Sequence, residues 1–403
     1  MVDSGSGHCK KNPPFPEINM LTRLDWEERE RKNLSSYAVK SADSRGRVYP
    51  EEEHPYRSVF QRDRDRIIHS GAFRRLEYKT QVFVYHEGDY YRTRLTHTME
   101  VFQISGCIAR ALGLNEDLCE AIAFAHDIGH TPFGHAGERV LNELMKGEGG
   151  FEHNRQGLRV VDKLENRYPE FPGLNLSWEI REGIIKHTTY YDKPFFPDEF
   201  EPEKMPTLEA QVVNVADEIA YNSHDLDDGL TANLIDGQGL EQVELWKKIY
   251  EDVAGKNRHL DEERRKCQVV KNIINKQVTD VLESTTAKIE ELKIRSSEEA
   301  RAIACPVVSF SPDMERKNQV LKDFLFKNMY SHYRVVRMSD KAERFIKELF
   351  DVYLNRPSQL PPATQEKIKA EKPRRAICDY IAGMTDRFVL EEYKKLFDPY
   401  EKV

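Results

Sequence analysis

Ala125-His126-Asp127-Ile128-Gly129-His130-Thr131-Pro132-Phe133-Gly134-His135-Ala136-Gly137-Glu138 holds three histidines and two carboxylates in fourteen residues. Before it, Leu118, Ile122, Ala125 and Gly129 fall at i, i+4, i+7 and i+11, the spacing of one helical face. Asn115 suits the N-cap, and Glu116 and Asp117 suit the positive end of the helix dipole. Thr131-Pro132 ends the run, because a residue before proline disfavours the α-helical region. This predicts His126 and Asp127 in the last turn of a largely apolar helix, His130 one turn on, and His135 and Glu138 beyond the break. An imidazole and a carboxylate on such a helix need partners, and a metal ion accepts both.

Two flanking helices carry matching residues. From about Arg92 to Leu112, Val101, Ile104, Ile108 and Ala111 form a buried stripe, and His97 lies one turn before Val101 on that side. From near Thr207, Leu208, Val212, Val215/Ala216, Ile219 and Ser223 face one way, while Asp217, Tyr221 and Asp225 share the adjoining face. His97, His126, Asp127 and Asp217 then converge in a bundle core, where metal sites are built. Two imidazoles and two carboxylates suit Mn, Mg, Fe or Ni, with positions left open for water and a phosphate oxygen. No cysteine joins the set, which argues against structural zinc. Taken singly, a histidine on an apolar helical face is ordinarily a hydrogen-bonded core residue; it is the set of four that points to a metal.

The rest of the chain sets limits. In 403 residues, 39% are hydrophobic and 32% charged, and the net charge is −8, so the chain as a whole is not a basic polyanion binder. No apolar run approaches the ~20 residues of a membrane span, and Met1–Pro16 lacks a signal-peptide core. The six cysteines are scattered, as expected of reduced thiols in a cytoplasmic protein. The pattern predicts an all-α chain with at most short β elements. We divide it into an N-terminal segment, 1–59; a metal-binding core, 60–235; and a charged helical region with C-terminal helices that complete the pocket, 236–403. Arg62, Arg64, Arg66, Arg74, Arg75 and Lys79, set among Ile67, Ile68, Phe73 and Leu76, read as one amphipathic helix with a basic face. Thr80–Tyr85 reads as a β-like run turned by Glu87-Gly88-Asp89, Pro306–Phe310 as a short strand, Pro361-Pro362 as a linker, and Ala376–Phe397 as one closing helix.

The order His97…His126-Asp127…Asp217 resembles the signature of HD-domain phosphohydrolases. Longer runs narrow the resemblance to the deoxynucleoside triphosphate triphosphohydrolases (dGTPase family). They are Arg66-Ile67-Ile68-His69-Ser70-Gly71-Ala72-Phe73-Arg74-Arg75-Leu76, Lys79-Thr80-Gln81-Val82-Phe83, Arg94-Leu95-Thr96-His97, His130-Thr131-Pro132-Phe133-Gly134-His135, Phe151-Glu152-His153-Asn154, Ala216-Asp217-Glu218-Ile219-Ala220-Tyr221 and Asp379-Tyr380-Ile381-Ala382-Gly383-Met384-Thr385-Asp386. The resemblance implies an HD helical bundle with a helical C-terminal extension. It implies hydrolysis of a dNTP to deoxynucleoside and inorganic triphosphate, with metal-activated water attacking the α-phosphorus. His135 is the candidate acid for the departing 5′ oxygen, oriented by Glu138. Arg94, His130 and His153, with Lys327 as a weaker candidate, would hold the phosphates; Tyr221, Asp225 and Gln81 would meet the sugar. Glu218 stands where some relatives place a phosphate-binding lysine and is expected to point outward. The resemblance further implies a homo-oligomer, tetramer or hexamer, and an activating dNTP at a separate site, for which the basic block at 62–79 and the N-terminal segment are the places to look.

Two alternatives stay open at this point. One is an HD phosphohydrolase acting on nucleoside monophosphates or cyclic nucleotides. The other is a non-catalytic regulator that binds nucleotide or single-stranded DNA. His69 and His187 are read as structural, His224-Asp225 as a His-Asp pair without a second metal, and 236–303 as an exposed or oligomer-facing helical region.

Overall fold

Helices form almost all the regular structure of this all-α chain. The computed structural model describes residues 20–82, 91–188, 196–256 and 259–402. Among these the only β pairing is three isolated bridges, one of them Thr80 to Thr93. The expected run through Tyr85 and its turn at Glu87–Asp89 lies largely outside the described residues.

The central helix, Glu116–Ala125, starts as its sequence dictates: the Asn115 side chain accepts the Leu118 N–H. It buries every residue from Ala121 to Ala125, together with Leu118 and Cys119. Around it pack Val59–Ile68, Arg94–Leu112, Trp178–Ile185 and Leu208–Thr231. Fully burying an aliphatic side chain contributes about 1.5–3 kcal/mol, so Ile104, Ile108, Ile122 and Ile219 alone hold this layer firmly. The helix stops earlier than the proline predicts. His126 is its C-cap, and the chain tightens into i→i+3 bonds from Ile128 N to Ala125 O and from His130 N to Asp127 O. Packing explains this: a Cβ on Gly129 would fall 2.0 Å from His153 O and 2.2 Å from Gly157 N. The turn thus presses flat against the His153–Arg159 helix, and only glycine fits there.

Several expectations need correcting. The basic stretch is two helices, Val59–Ile68 and Gly71–Arg75, because Ser70 caps the second by accepting the Phe73 N–H. Pro306–Phe310 is not a strand, since Val307 N and Val308 N both donate to the Gln211 side chain rather than to a neighbouring strand. Pro362 is no linker but the first residue of the Pro362–Ala370 helix, where its missing N–H costs nothing. The closing segment splits into Pro373–Ala382 and Asp386–Phe397, with Thr385 capping the second. The charged block is not simply peripheral. The Glu262–Glu291 helix buries Val269, Ile273, Val281 and Ile289 along one face, which packs on Leu208–Thr231 and Arg94–Leu112.

Two apolar cores result. The main one runs from Ala38 to Leu325. The second joins Phe133, Val140, Leu141 and Phe151 to C-terminal residues such as Ile346, Phe350, Ile377 and Ile381. The histidine-rich stretch lies at the junction, with its first half in one core and its second half in the other.

Candidate metal centre and cleft

Three helices deliver the four expected metal ligands. His97 comes from Arg94–Leu112, His126 and Asp127 from the end of the central helix, and Asp217 from Leu208–Thr231. All four are buried. His97 Nε2 lies 2.9 Å from Asp217 Oδ1 and 3.4 Å from His126 Nε2. His126 Nε2 lies 3.9 Å from Asp217 Oδ1 and 3.7 Å from Asp127 Oδ1. Ligand atoms of His97, His126 and Asp217 all fall within 4.8 Å of one another, and Asp127 adjoins them.

The donors fit a cation. His126 Nδ1 faces Ala123 O at 2.6 Å, which fixes its proton there and leaves the Nε2 lone pair aimed into the cluster. Asp127 Oδ2 is buried with no hydrogen-bond partner, although its other oxygen accepts from Arg94 at 3.0 Å. Burial pushes both carboxyls up, but Arg94 beside Asp127, and His187 and His97 beside Asp217, outweigh it and hold both ionised. Burial, reinforced by the neighbouring His187 and His97, drives the His126 pKa down against Asp127 and Asp217, so its neutral form is favoured. Two histidines not counted among the ligands stand directly behind the set: His187, read as structural, and His224, read as part of a His-Asp pair without a second metal. His224 Nε2 lies 2.9 Å from His97 Nδ1, and His187 Nε2 lies 3.3 Å from Asp217 Oδ2. Sequence spacing pointed to neither. The signal available for His224 was its place two helical turns beyond Asp217.

A second cluster follows. His130 stacks on His153 with ring centroids 4.0 Å apart. Glu138 Oε1 accepts the His153 backbone N–H at 2.9 Å and meets its Nδ1 at 3.0 Å, while Oε2 lies 3.5 Å from His135 Nδ1. Glu138 therefore serves both histidines. Its carboxyl is raised by burial but held well below the usual range by His153 and His135. His135 is 53% exposed on its side chain, the accessibility a proton donor to a substrate needs. His130 Nδ1 is buried without a partner, and burial with Arg94 nearby keeps its ring neutral.

His97, Asp127, Asp217, His130, His135 and His153 line a chamber of about 130 Å³ that shares Gln81, Val82, His135, Tyr221 and Tyr330 with an outer cleft of about 820 Å³, which Glu138 borders. Arg94, His130, His153, Tyr221 and Gln81 all reach the chamber. Two expected residues do not. Lys327 is exposed on the Phe326–Tyr330 turn, off both cavities; the cation contributed by this region is Lys322. Asp225 lies buried behind the wall, accepting the Tyr330 hydroxyl, whose ring stacks on Tyr221 at 6.2 Å. Glu218 also departs from expectation. It lines the chamber rather than pointing outward, and it can do so because Lys322 Nζ sits 2.7 Å from its Oε1.

The basic block is mostly committed elsewhere. Arg64 pairs with Asp117 and Glu120, Arg66 with Glu51, and Arg62 with Glu51. Arg75 and Lys79 instead border a separate cavity of about 570 Å³, against the 379–388 segment. No described helix is long and apolar enough to cross a membrane.

A bundle that gathers His, His-Asp and Asp from successive helices around one buried point defines the HD-domain phosphohydrolases. Comparison with known proteins agrees: the HD domain family matches residues 94–222, and the phosphohydrolase-associated domain matches 308–395. A deoxyguanosinetriphosphate triphosphohydrolase-like protein of Geobacter metallireducens is 54% identical over 95% of this chain and its own full length. Proteins of the same description from Geobacter sulfurreducens and Azoarcus sp. are 54% and 50% identical, over 93% and 90% of this chain and 97% and 96% of their own. The chain belongs to this deoxyguanosinetriphosphate triphosphohydrolase-like family.

Proposed function

We propose that the chain hydrolyses deoxynucleoside triphosphates to deoxynucleoside and inorganic triphosphate. The observation that carries this reading is one chamber holding both sets of groups the reaction needs. His97, Asp127 and Asp217 line one wall, and the exposed His135 ring lines another, backed by Glu138 from the outer cleft. The relatives' description points to the same substrate class.

His97, His126, Asp127 and Asp217 would hold a divalent cation. Such a cation supplies a nucleophilic water near neutral pH and offsets phosphate charge. Arg94, Lys322, His130 and His153 bind the triphosphate, the first two as permanent charges and the histidines as N–H donors. Hydrolysis would join a water oxygen to the α-phosphorus as the P–O5′ bond breaks; His135 would give its proton to O5′, and the proton lost by the water would pass to solvent, from which His135 is reprotonated. Glu138, held ionised, orients the His135 ring. Tyr221 packs beneath the sugar where a 2′-OH would need room, and Gln81, whose buried Oε1 has no partner, meets it from the other side. Asp225 acts on the sugar through Tyr330.

The test is product analysis. The purified protein with Mn²⁺ is incubated with each dNTP, singly and in pairs, and the products are separated by anion exchange. Deoxynucleoside and intact triphosphate are expected. Monophosphate and pyrophosphate, or no turnover, would overturn the reading. Turnover only in mixtures would add an activating nucleotide.

A further inference from the structure

Two stretches singled out in the sequence, Lys79-Thr80 and Ala382–Asp386, supply none of the expected metal ligands, yet they meet in the structure. Asp386 is fully buried. Its Oδ1 accepts the Phe133 N–H at 2.9 Å, and its Oδ2 accepts the Thr80 N–H at 2.8 Å and also the Thr80 hydroxyl. Lys79, 3% exposed, donates from Nζ to His130 O at 2.5 Å and to Ala382 O at 3.0 Å. On its other side the same dipeptide is tied to the metal helix: Lys79 O accepts the Arg94 N–H at 3.2 Å, and Thr80 bridges Thr93. One carboxylate and one ammonium therefore set the distance between the start of the His97 helix and the His130–His135 loop.

That loop needs external support. Phe133 occupies the left-handed region at φ 59°, unfavourable for a bulky side chain, and it begins the Gly134–Leu144 helix without a side-chain cap. Its N–H is instead bound by Asp386. If this bond is lost, the strained residue can relax and the first turn, carrying His135, can shift. A displacement of about 1 Å at a catalytic group costs on the order of 100-fold in rate.

We propose that Asp386, braced by Lys79, is a positioning residue for leaving-group protonation. It fixes the His135 ring relative to the metal set from the C-terminal part of the chain, without touching substrate. The inference rests on the hydrolysis proposed above, and it separates this role from general stability. Metal ligands and most phosphate contacts lie outside the loop, so binding should survive when proton delivery fails.

The experiment compares Asp386→Ala and Asp386→Asn with the unaltered enzyme on a dNTP and on p-nitrophenyl triphosphate, whose phenolate leaves without a proton. Asp386→Ala should lower kcat on the dNTP about 10- to 100-fold, with KM within about threefold and Mn²⁺ content unchanged by elemental analysis. Its turnover of the aryl ester should stay within about threefold. Asp386→Asn, which keeps an acceptor oxygen, should recover part of the loss. Equal losses on both substrates, loss of metal, or no loss on either would overturn the proposal. If the unaltered enzyme releases no triphosphate from any dNTP, the hydrolysis reading fails, and the positioning claim is decided by NMR of the histidine rings. Asp386→Ala should move the His130 and His135 signals and leave that of His69 in place; unmoved His130 and His135 signals would overturn it.

Discussion

Lys322 Nζ lies 2.7 Å from Glu218 Oε1, across two helices separated by about a hundred residues of sequence, and both side chains face the metal chamber. An acid in a chamber that admits a polyanion requires a counter-ion. The ammonium has three donors, so it can hold Glu218 and still meet a phosphate oxygen. We expect Lys322→Met to raise KM for a dNTP at least about tenfold, because it removes a charge-assisted contact and exposes the substrate to Glu218. The double variant Glu218→Gln/Lys322→Met should regain part of that loss. Steady-state kinetics decides: an unchanged KM in Lys322→Met would mean the pair merely ties the helices together.

His224 is expected to act on the metal through His97. It faces the ring nitrogen opposite the ligating one, at 2.9 Å, and burial holds its own pKa down to about 3, so it stays neutral. Replacing such an outer partner weakens metal binding about 10- to 100-fold. A Mn²⁺ titration of His224→Phe should show that weakening, with the exposed His69→Gln as control. Asp217→Ala should lose the metal outright; full metal content in that variant would remove Asp217 from the ligand set.

The fold class and the gathering of the buried His/Asp cluster were legible because both rest on local regularities. Helical periodicity and caps at Asn115 and Thr207 placed the helices, and His97, His126 and Asp217 fell on core-facing positions. What escaped was decided by partners far away in sequence. Val307 and Val308 are β-branched, but their backbones are claimed by Gln211. His187 and Lys322 carry no local motif, and only the packing of three helices brings them to Asp217 and Glu218. The family resemblance supplied the roles of Arg94 and Tyr221, which spacing alone would not distinguish from core residues.

Glu209 gives stability a pH dependence of known sign. Its carboxyl is buried beneath the N-terminal segment, accepting the N–H groups of Val39 and Asn115, and burial pushes it up to about 7 from 4.5. The folded state thus holds a proton that the unfolded chain releases near 4.5. Its contribution is complete below about 4.5 and is lost as pH rises toward 7, on the order of 3 kcal/mol in all. Glu209→Gln keeps an acceptor and removes the titration. Urea unfolding at several pH values should therefore show the variant gaining on the unaltered protein between pH 4.5 and 7; parallel curves would contradict the buried proton.

His135 separates catalysis from binding. The ring is exposed at the chamber wall and paired with Glu138, while His97, His126, Asp127, Asp217 and Arg94 are buried. A general acid contributes about 10²- to 10⁴-fold, and its removal acts on the transition state rather than on ground-state binding. We therefore expect His135→Ala to lose turnover by that factor while keeping nucleotide affinity, measured by calorimetry with Mn²⁺, within about threefold. Glu138→Gln should fall between the unaltered enzyme and His135→Ala, since an amide can still hold the ring but lacks the carboxylate's charge. Should His135→Ala turn over at the original rate, the proton must come from another group, and His153, whose Nδ1 meets the other Glu138 oxygen at 3.0 Å, is the next residue to change.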